Sequence, residues 1–181
     1  GEMTNDVLVD QLIELVDFPQ TARSIVAELN DETLAYVAAR LSERARLQLQ
    51  RDATRALAIT QLIFDIAEWR DSARIRALAL QAKGIVLTLS QREFETALSL
   101  FAESEEIYQT YGDELEIASG RVTRVWAMAC LQQFDEAFTA GEWAAEVLIR
   151  HESYQLLAAL NNNLAAIYGR RGQDKEALQR F

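Results

Sequence analysis

A five-residue pattern returns every forty residues, and that recurrence restricts the chain to folds assembled from repeating units. Phe94-Glu95-Thr96-Ala97-Leu98, Phe134-Asp135-Glu136-Ala137-Phe138 and Asp174-Lys175-Glu176-Ala177-Leu178 align with their alanines at 97, 137 and 177. A fainter copy, Asp52-Ala53-Thr54-Arg55-Ala56-Leu57, places its alanine at 56. Within a period, apolar or small residues advance by three and four: Ala97, Leu98, Phe101, Ser104, Ile107, Tyr108, Tyr111, and before them Ile75, Leu78, Ala82, Ile85, Leu89. Steps of that size mark one face of a helix, so each period holds two helices.

Short polar breaks separate these stripes at Arg70-Asp71-Ser72, Ser90-Gln91, Tyr111-Gly112-Asp113, Gln132-Gln133, His151-Glu152-Ser153 and Arg171-Gly172-Gln173. Ser90 with Glu93, and Asp113 with Glu116, have the spacing of a capping box at a helix start. Toward the N-terminus the pattern predicts helices over Asp6–Val16, Pro19–Leu29, Asp31–Leu49 and Asp52–Trp69, with Pro19 in a first turn, where its missing N–H costs nothing. Loops this short force neighbouring helices antiparallel. The expected fold is all-α, a right-handed superhelical stack of antiparallel helical hairpins with about ten helices. It comprises an N-terminal helical region over 1–50 packed on a repeat array over 51–181 whose last repeat is incomplete, within one structural domain. The alanines at 56, 97, 137 and 177 let paired helices approach closely, with Phe94, Phe101, Phe134 and Phe181 filling the space beside them.

Composition agrees with long helices and narrows function. One proline and seven glycines in 181 residues leave few helix breakers. A net charge of −10 argues against nucleic-acid phosphates as the partner. One cysteine and one histidine supply neither a disulfide framework nor a Cys/His metal site, so no metal and no cofactor is expected. No stretch approaches a membrane span, and Val7–Val16 contains Asp10 and Glu14 and lacks a basic leader, which points to a cytoplasmic chain. Gly1-Glu2 before Met3 reads as a remnant of a tag.

Leu160-Asn161-Asn162-Asn163-Leu164-Ala165-Ala166-Ile167-Tyr168, followed by Gly172 and Ala177, resembles the signature of the tetratricopeptide repeat. Leu80, Gly84, Leu87, Phe94, Ala97 and Phe101 repeat it with one extra residue near Gln91. The middle copy departs: Arg124, Val125 and Gly141 replace the preferred leucine, glycine and aromatic, which implies looser packing there. Forty-residue copies joined by Tyr111-Gly112-Asp113 are similar to the extended repeats of kinesin light chains and of large bacterial signalling proteins. Asp31-Glu32-Thr33-Leu34, the run Arg51–Leu57 and the run Arg76–Gly84 resemble the N-terminal region of bacterial proteins carrying a caspase-like CHAT domain. The resemblance implies a non-catalytic scaffold, the regulatory N-terminal part of a longer protein. Such a scaffold recognises a peptide, a protein segment or an adjoining domain of its own chain in a concave groove.

By that resemblance the groove is lined by Gln81, Ala82, Ile85 and Thr88, then Val122, Thr123, Trp126 and Cys130, then Asn162, Asn163, Ala166 and Arg170. Trp126 would serve as an aromatic anchor, and the carboxamides of Asn162 and Asn163 would bond a peptide backbone. Each has a plainer rival: Trp126 as core, the asparagines as a polar turn of helix. Lys83 and Arg124 stand at apolar positions of the repeat and are expected to snorkel and pair with carboxylates such as Glu114, with anion binding as the sharper rival. The acidic set from Glu93 to Glu116, including Glu105, is expected on the solvated convex side, with a docking surface for a basic partner as the sharper rival, and His151 in a loop facing solvent. The competing reading is a self-assembly module that associates through Ala177, Leu178 and Phe181 and leaves the groove empty. An enzymatic reading would need an acid or thiol with a shifted pKa in a closed pocket.

Overall fold

The structure, a computed structural model, describes residues 2–179, apart from the side chains at positions 2, 3, 176 and 177. Among the described residues it is all-α, with nine α-helices, one π-helical segment and no strand. The helices are α1 (Glu2–Glu14), α2 (Pro19–Ala27), α3 (Asp31–Gln48), α4 (Ala53–Trp69), α5 (Ala73–Val86), α6 (Phe94–Tyr111), α7 (Glu114–Cys130), α8 (Phe134–Arg150) and α9 (Tyr154–Gln179). The π-helical segment, Leu87–Gln91, extends α5. The chain divides after Gln91 into two compact units.

In the first unit α3 packs against α1, α4 and α5, while α4 packs against α5 and α2. Val9, Leu12, Val26, Leu41, Ile59 and Ile63 are buried in one core, so the boundary expected between residues 50 and 51 falls inside this unit. Helix starts are fixed by side chains: Thr33 N donates to Asn30 Oδ1, Arg55 N to Asp52 Oδ1 and Ile75 N to Ser72 Oγ. Arg70 at the end of α4 ties two more elements, donating to Val26 O at 2.9 Å and Leu29 O at 2.7 Å, and to Asp31 Oδ1 at 3.0 Å. A cation there meets carbonyls of the last turn of α2 and of the link that follows it.

In the second unit α7 is central and packs against α6, α8 and α9, and α8 packs against α9. Val125, Ala129, Ala144, Val147, Leu160 and Ile167 are fully buried. Ala56, Ala97 and Ala137, each the fourth residue of its helix, have no exposed surface, as the close-approach reading requires; the side chain of Ala177 and all of Phe181 lie outside the described residues. Gly141 is buried too, and its packing is close rather than loose. A Cβ there would stand 2.8 Å from Leu164 Cδ2, so the missing side chain is what seats Leu164 of α9 on the α8 backbone.

The helix links repeat one geometry. Asp71, Arg92, Gly112, Gln132 and Glu152 all adopt the left-handed conformation, with φ of 48°, 55°, 71°, 62° and 54°. After four of them the next amide reaches five residues back: Ser72 to Ala67, Asp113 to Tyr108, Gln133 to Met128 and Ser153 to Leu148, at 2.9–3.0 Å. This is the Schellman closure of a helix C-terminus. A residue with a Cβ is strained there by about 1–2 kcal/mol, against a smaller entropic cost for glycine. Gln132→Gly and Glu152→Gly are therefore each expected to stabilise the chain by about 0.5–1 kcal/mol in urea denaturation.

Three local expectations are corrected. The break at Arg171-Gly172-Gln173 does not occur: α9 runs unbroken through it. One glycine inside a helix costs about 1 kcal/mol, less than surrendering the hydrogen bonds of the following turns. The box at Ser90 and Glu93 is not formed, because α6 begins only at Phe94 and Ser90 Oγ donates back to Val86 O within the π-helical turn. Asp113 precedes α7 and makes no capping hydrogen bond from its side chain. At Asn30, Asp52 and Ser72 the N-cap backbone is extended, whereas at Glu93, Asp113 and Gln133 ψ lies between 62° and 70°, away from the region that points the side chain at the free amides.

Candidate functional site

The residues read as a groove wall do not stand together as an exposed surface. In the first unit Gln81, Ala82 and Thr88 are buried, Thr88 Oγ1 donates to Gly84 O at 2.8 Å, and Ile85 packs beside Leu49 and Val86. In the second, Val122 and Thr123 are buried and Trp126 packs half-buried against the core. Asn163 Nδ2 donates to Val122 O at 2.7 Å, fastening α9 to α7. Arg170 Nη1 lies 3.8 Å from Cys130 Sγ, and both are half-buried. Asn162 and Ala166 are exposed.

A cleft opens instead over the opposite face of α7. Ile117, Arg121, Arg124 and Met128, at steps of four, three and four, form its floor. Helical geometry places them about half a turn from Val122, Trp126 and Cys130. Thr139, Ala140 and Trp143 of α8 make one wall, Gln109 and Gly112 lie at the end of α6, and Glu114, Asp135 and Glu136 stand at the rim. The volume is about 840 Å³.

Arg121 organises the floor. Its Nε and Nη2 donate to Glu105 Oε1 of α6 at 3.0 and 2.8 Å, its Nη1 to Ala140 O of α8 at 3.3 Å, and its guanidinium lies 4.6 Å from the Trp143 ring centroid. One side chain thus joins three helices, with a cation–π contact on the exposed side. Arg124 Nη1 donates to the other oxygen, Glu105 Oε2, and the Arg124 Nε is buried without a hydrogen-bond partner. The three charged side chains are mostly dry, at 17% exposed for Arg121, 19% for Arg124 and 10% for Glu105.

At the rim Glu114 receives Arg150 at 3.0 and 3.2 Å and His151 Nε2 at 2.9 Å. The hydrogen bond with His151, and behind it the charge and hydrogen bonds of Arg150, hold the Glu114 carboxyl below the usual carboxylate range against the opposing effect of burial. Asp135 pairs with Arg171 at 3.1 Å.

Two expectations change here. Arg124 pairs with Glu105 and not with Glu114, and Glu105 belongs to the buried set and not to a solvated surface. The signal was present in the spacing, since Phe101, Ser104, Glu105 and Tyr108 fall on one stripe and all four are buried. A carboxylate on a buried stripe calls for a cation from the facing helix. Lys83, also expected beside carboxylates, has its Nζ 6.0 Å from the Phe64 ring, which Arg76 approaches at 5.8 Å.

The cleft presents fixed cations, a planar aromatic ring, and the apolar side chains of Ile117 and Met128. Among the described residues no group of three or more His, Cys, Asp or Glu side chains is placed to hold a metal ion, and no helix is long and apolar enough to cross a membrane. The chain matches no protein-family model, no curated protein and no solved structure.

Proposed function

We propose that this chain is a non-catalytic helical-repeat scaffold of the tetratricopeptide kind, and that it binds a peptide or protein segment in the cleft of its second unit. The observation that carries the reading is the cleft itself. At about 840 Å³ it has the size of a binding site, and its polar groups are already oriented by Glu105 and Ala140 before any ligand arrives. The equal spacing of the left-handed links supports a stack of like hairpins. The cytoplasmic setting rests on the lack of a spanning stretch and of a basic leader in the sequence, and a role as the regulatory part of a longer bacterial signalling protein rests on the sequence resemblance. Relative to that resemblance, the binding surface moves from the Val122–Trp126 face of α7 to the Arg121–Arg124 face.

Self-assembly is the second reading, favoured by the exposed Tyr154, Tyr168 and Leu178 of α9. Selection from a random peptide library, with Trp143→Ala as counter-selection, separates the two. Peptides that bind the chain and lose about tenfold or more in affinity on Trp143→Ala, with circular dichroism unchanged, support the first reading. Selected peptides indifferent to Trp143, together with light scattering that shows association rising with concentration, would replace it with the second.

A further inference from the structure

The floor of the cleft carries an uncancelled charge. Arg121 and Arg124 share the single carboxylate of Glu105, so two desolvated cations meet one anion. The rim carboxylates have basic partners of their own, Arg150 and His151 on Glu114 and Arg171 on Asp135, and Glu136 is exposed. An overall acidic chain therefore keeps a net positive charge where water is scarce. Holding two guanidiniums together there is unfavourable unless another anion completes the set. The unpartnered Nε of Arg124 is a second sign of incomplete satisfaction.

The charges are also ordered along the cleft. Glu114 opens α7 and is held by Arg150 and His151 at the end of α8, while Asp135 and Glu136 begin α8 beside the other end of α7. Arg121 and Arg124 lie between. From Glu114 to Met128 the helix rises about 21 Å, the length of roughly six extended residues. An occupant thus meets paired charges toward each end and the surplus base between them.

We infer that the cleft receives an extended peptide segment through the side-chain carboxylate of an internal Asp or Glu, seated against Arg121 and Arg124, with a neighbouring apolar side chain on Trp143. This rests on the peptide-binding reading above. A single negative charge matches the single surplus positive one. The surplus charge lies midway along the cleft, which places the acid in the middle of the segment rather than at its terminus.

The test uses the full chain, nitrogen-15 labelled, and three short probe peptides. The first has a central glutamate between two phenylalanines, a lysine at each end and an amidated terminus. The second replaces the glutamate with glutamine, and the third is the glutamine peptide with a free terminal carboxylate. The glutamate peptide is expected to shift the Nε–Hε signals of Arg121 and Arg124 and the indole N–H of Trp143, and to bind about tenfold or more tightly than the glutamine peptide. Arg124→Gln should abolish that preference. Glu105→Gln should enlarge it several-fold, because it removes the competing internal carboxylate; a merely structural role for Glu105 moves binding the other way. Equal affinity of the glutamate and glutamine peptides, seen at the same three signals, overturns the inference and leaves peptide binding standing. Preference for the free terminal carboxylate overturns the internal position of the acid. Absence of any shift in the cleft with all three peptides overturns both the inference and the reading beneath it.

Discussion

Glu105→Ala is expected to destabilise the second unit by about 3–5 kcal/mol, because it leaves Arg121 and Arg124 as two buried cations with no anion between them. The loss comes from the stranded charges more than from missing attraction. Arg121 retains its bond to Ala140 O, but its Nε and Nη2 lose their common acceptor, and Arg124 loses the partner of its Nη1. Removing all three charges together, as in Glu105→Leu with Arg121→Met and Arg124→Leu, should cost far less than the single change, since well-packed apolar replacements of a buried ion set are often neutral. Urea denaturation of the single and triple variants checks this ordering. A loss below about 1 kcal/mol for Glu105→Ala would mean that water reaches the arginines and that the cleft floor is an ordinary surface pair. Glu105→Gln keeps the shape and one acceptor oxygen, which is why it suits a binding measurement and alanine suits a stability measurement.

The helices, and three alanines at which they approach closely, follow from steps of three and four along the chain, because a helix with one buried stripe shows its period directly. The face of α7 that carries the site does not. Ile117, Ala118, Val122, Val125, Ala127 and Met128 are all buried, so α7 is covered on several sides by α6, α8 and α9 and shows no single stripe. With apolar residues all round, spacing alone does not separate the face toward α9 from the face that floors the cleft. The spacing puts Glu105 on a buried stripe, but its pairing with Arg121 and Arg124 is a contact between helices, and periodicity within one helix carries no record of the partners. Gly112 announces its left-handed turn by being glycine, whereas Gln132 and Glu152 adopt the same turn with residues that give no sign of it. Gly172 is the converse, a glycine in register with those turns that the structure keeps helical.

The double variant Trp126→Ala/Asn163→Ala distinguishes the two faces of α7 by what it does to melting. If these residues lined a groove, their removal would leave the fold untouched. In the structure Trp126 packs on the second core, and Asn163 holds the Val122 carbonyl across the gap between α9 and α7. Truncating a half-buried tryptophan costs about 2–4 kcal/mol, and losing the inter-helix hydrogen bond about 1 kcal/mol more. Both changes loosen the same α7–α9 contact, so their effects need not add. A combined loss of about 3–5 kcal/mol is expected, lowering the melting temperature by roughly 6–20 °C for a chain of this size. Asn162→Ala, one residue away and exposed, should fall within about 0.5 kcal/mol of the parent. Melting followed by circular dichroism reads all three. Were the double variant to melt with the parent, Trp126 and Asn163 would be free for a ligand and the binding face would return to that side of α7. If it melts early, a binding defect in that variant reports unfolding. Trp143→Ala then probes the cleft directly, because Trp143 lies beside Arg121 on the other face.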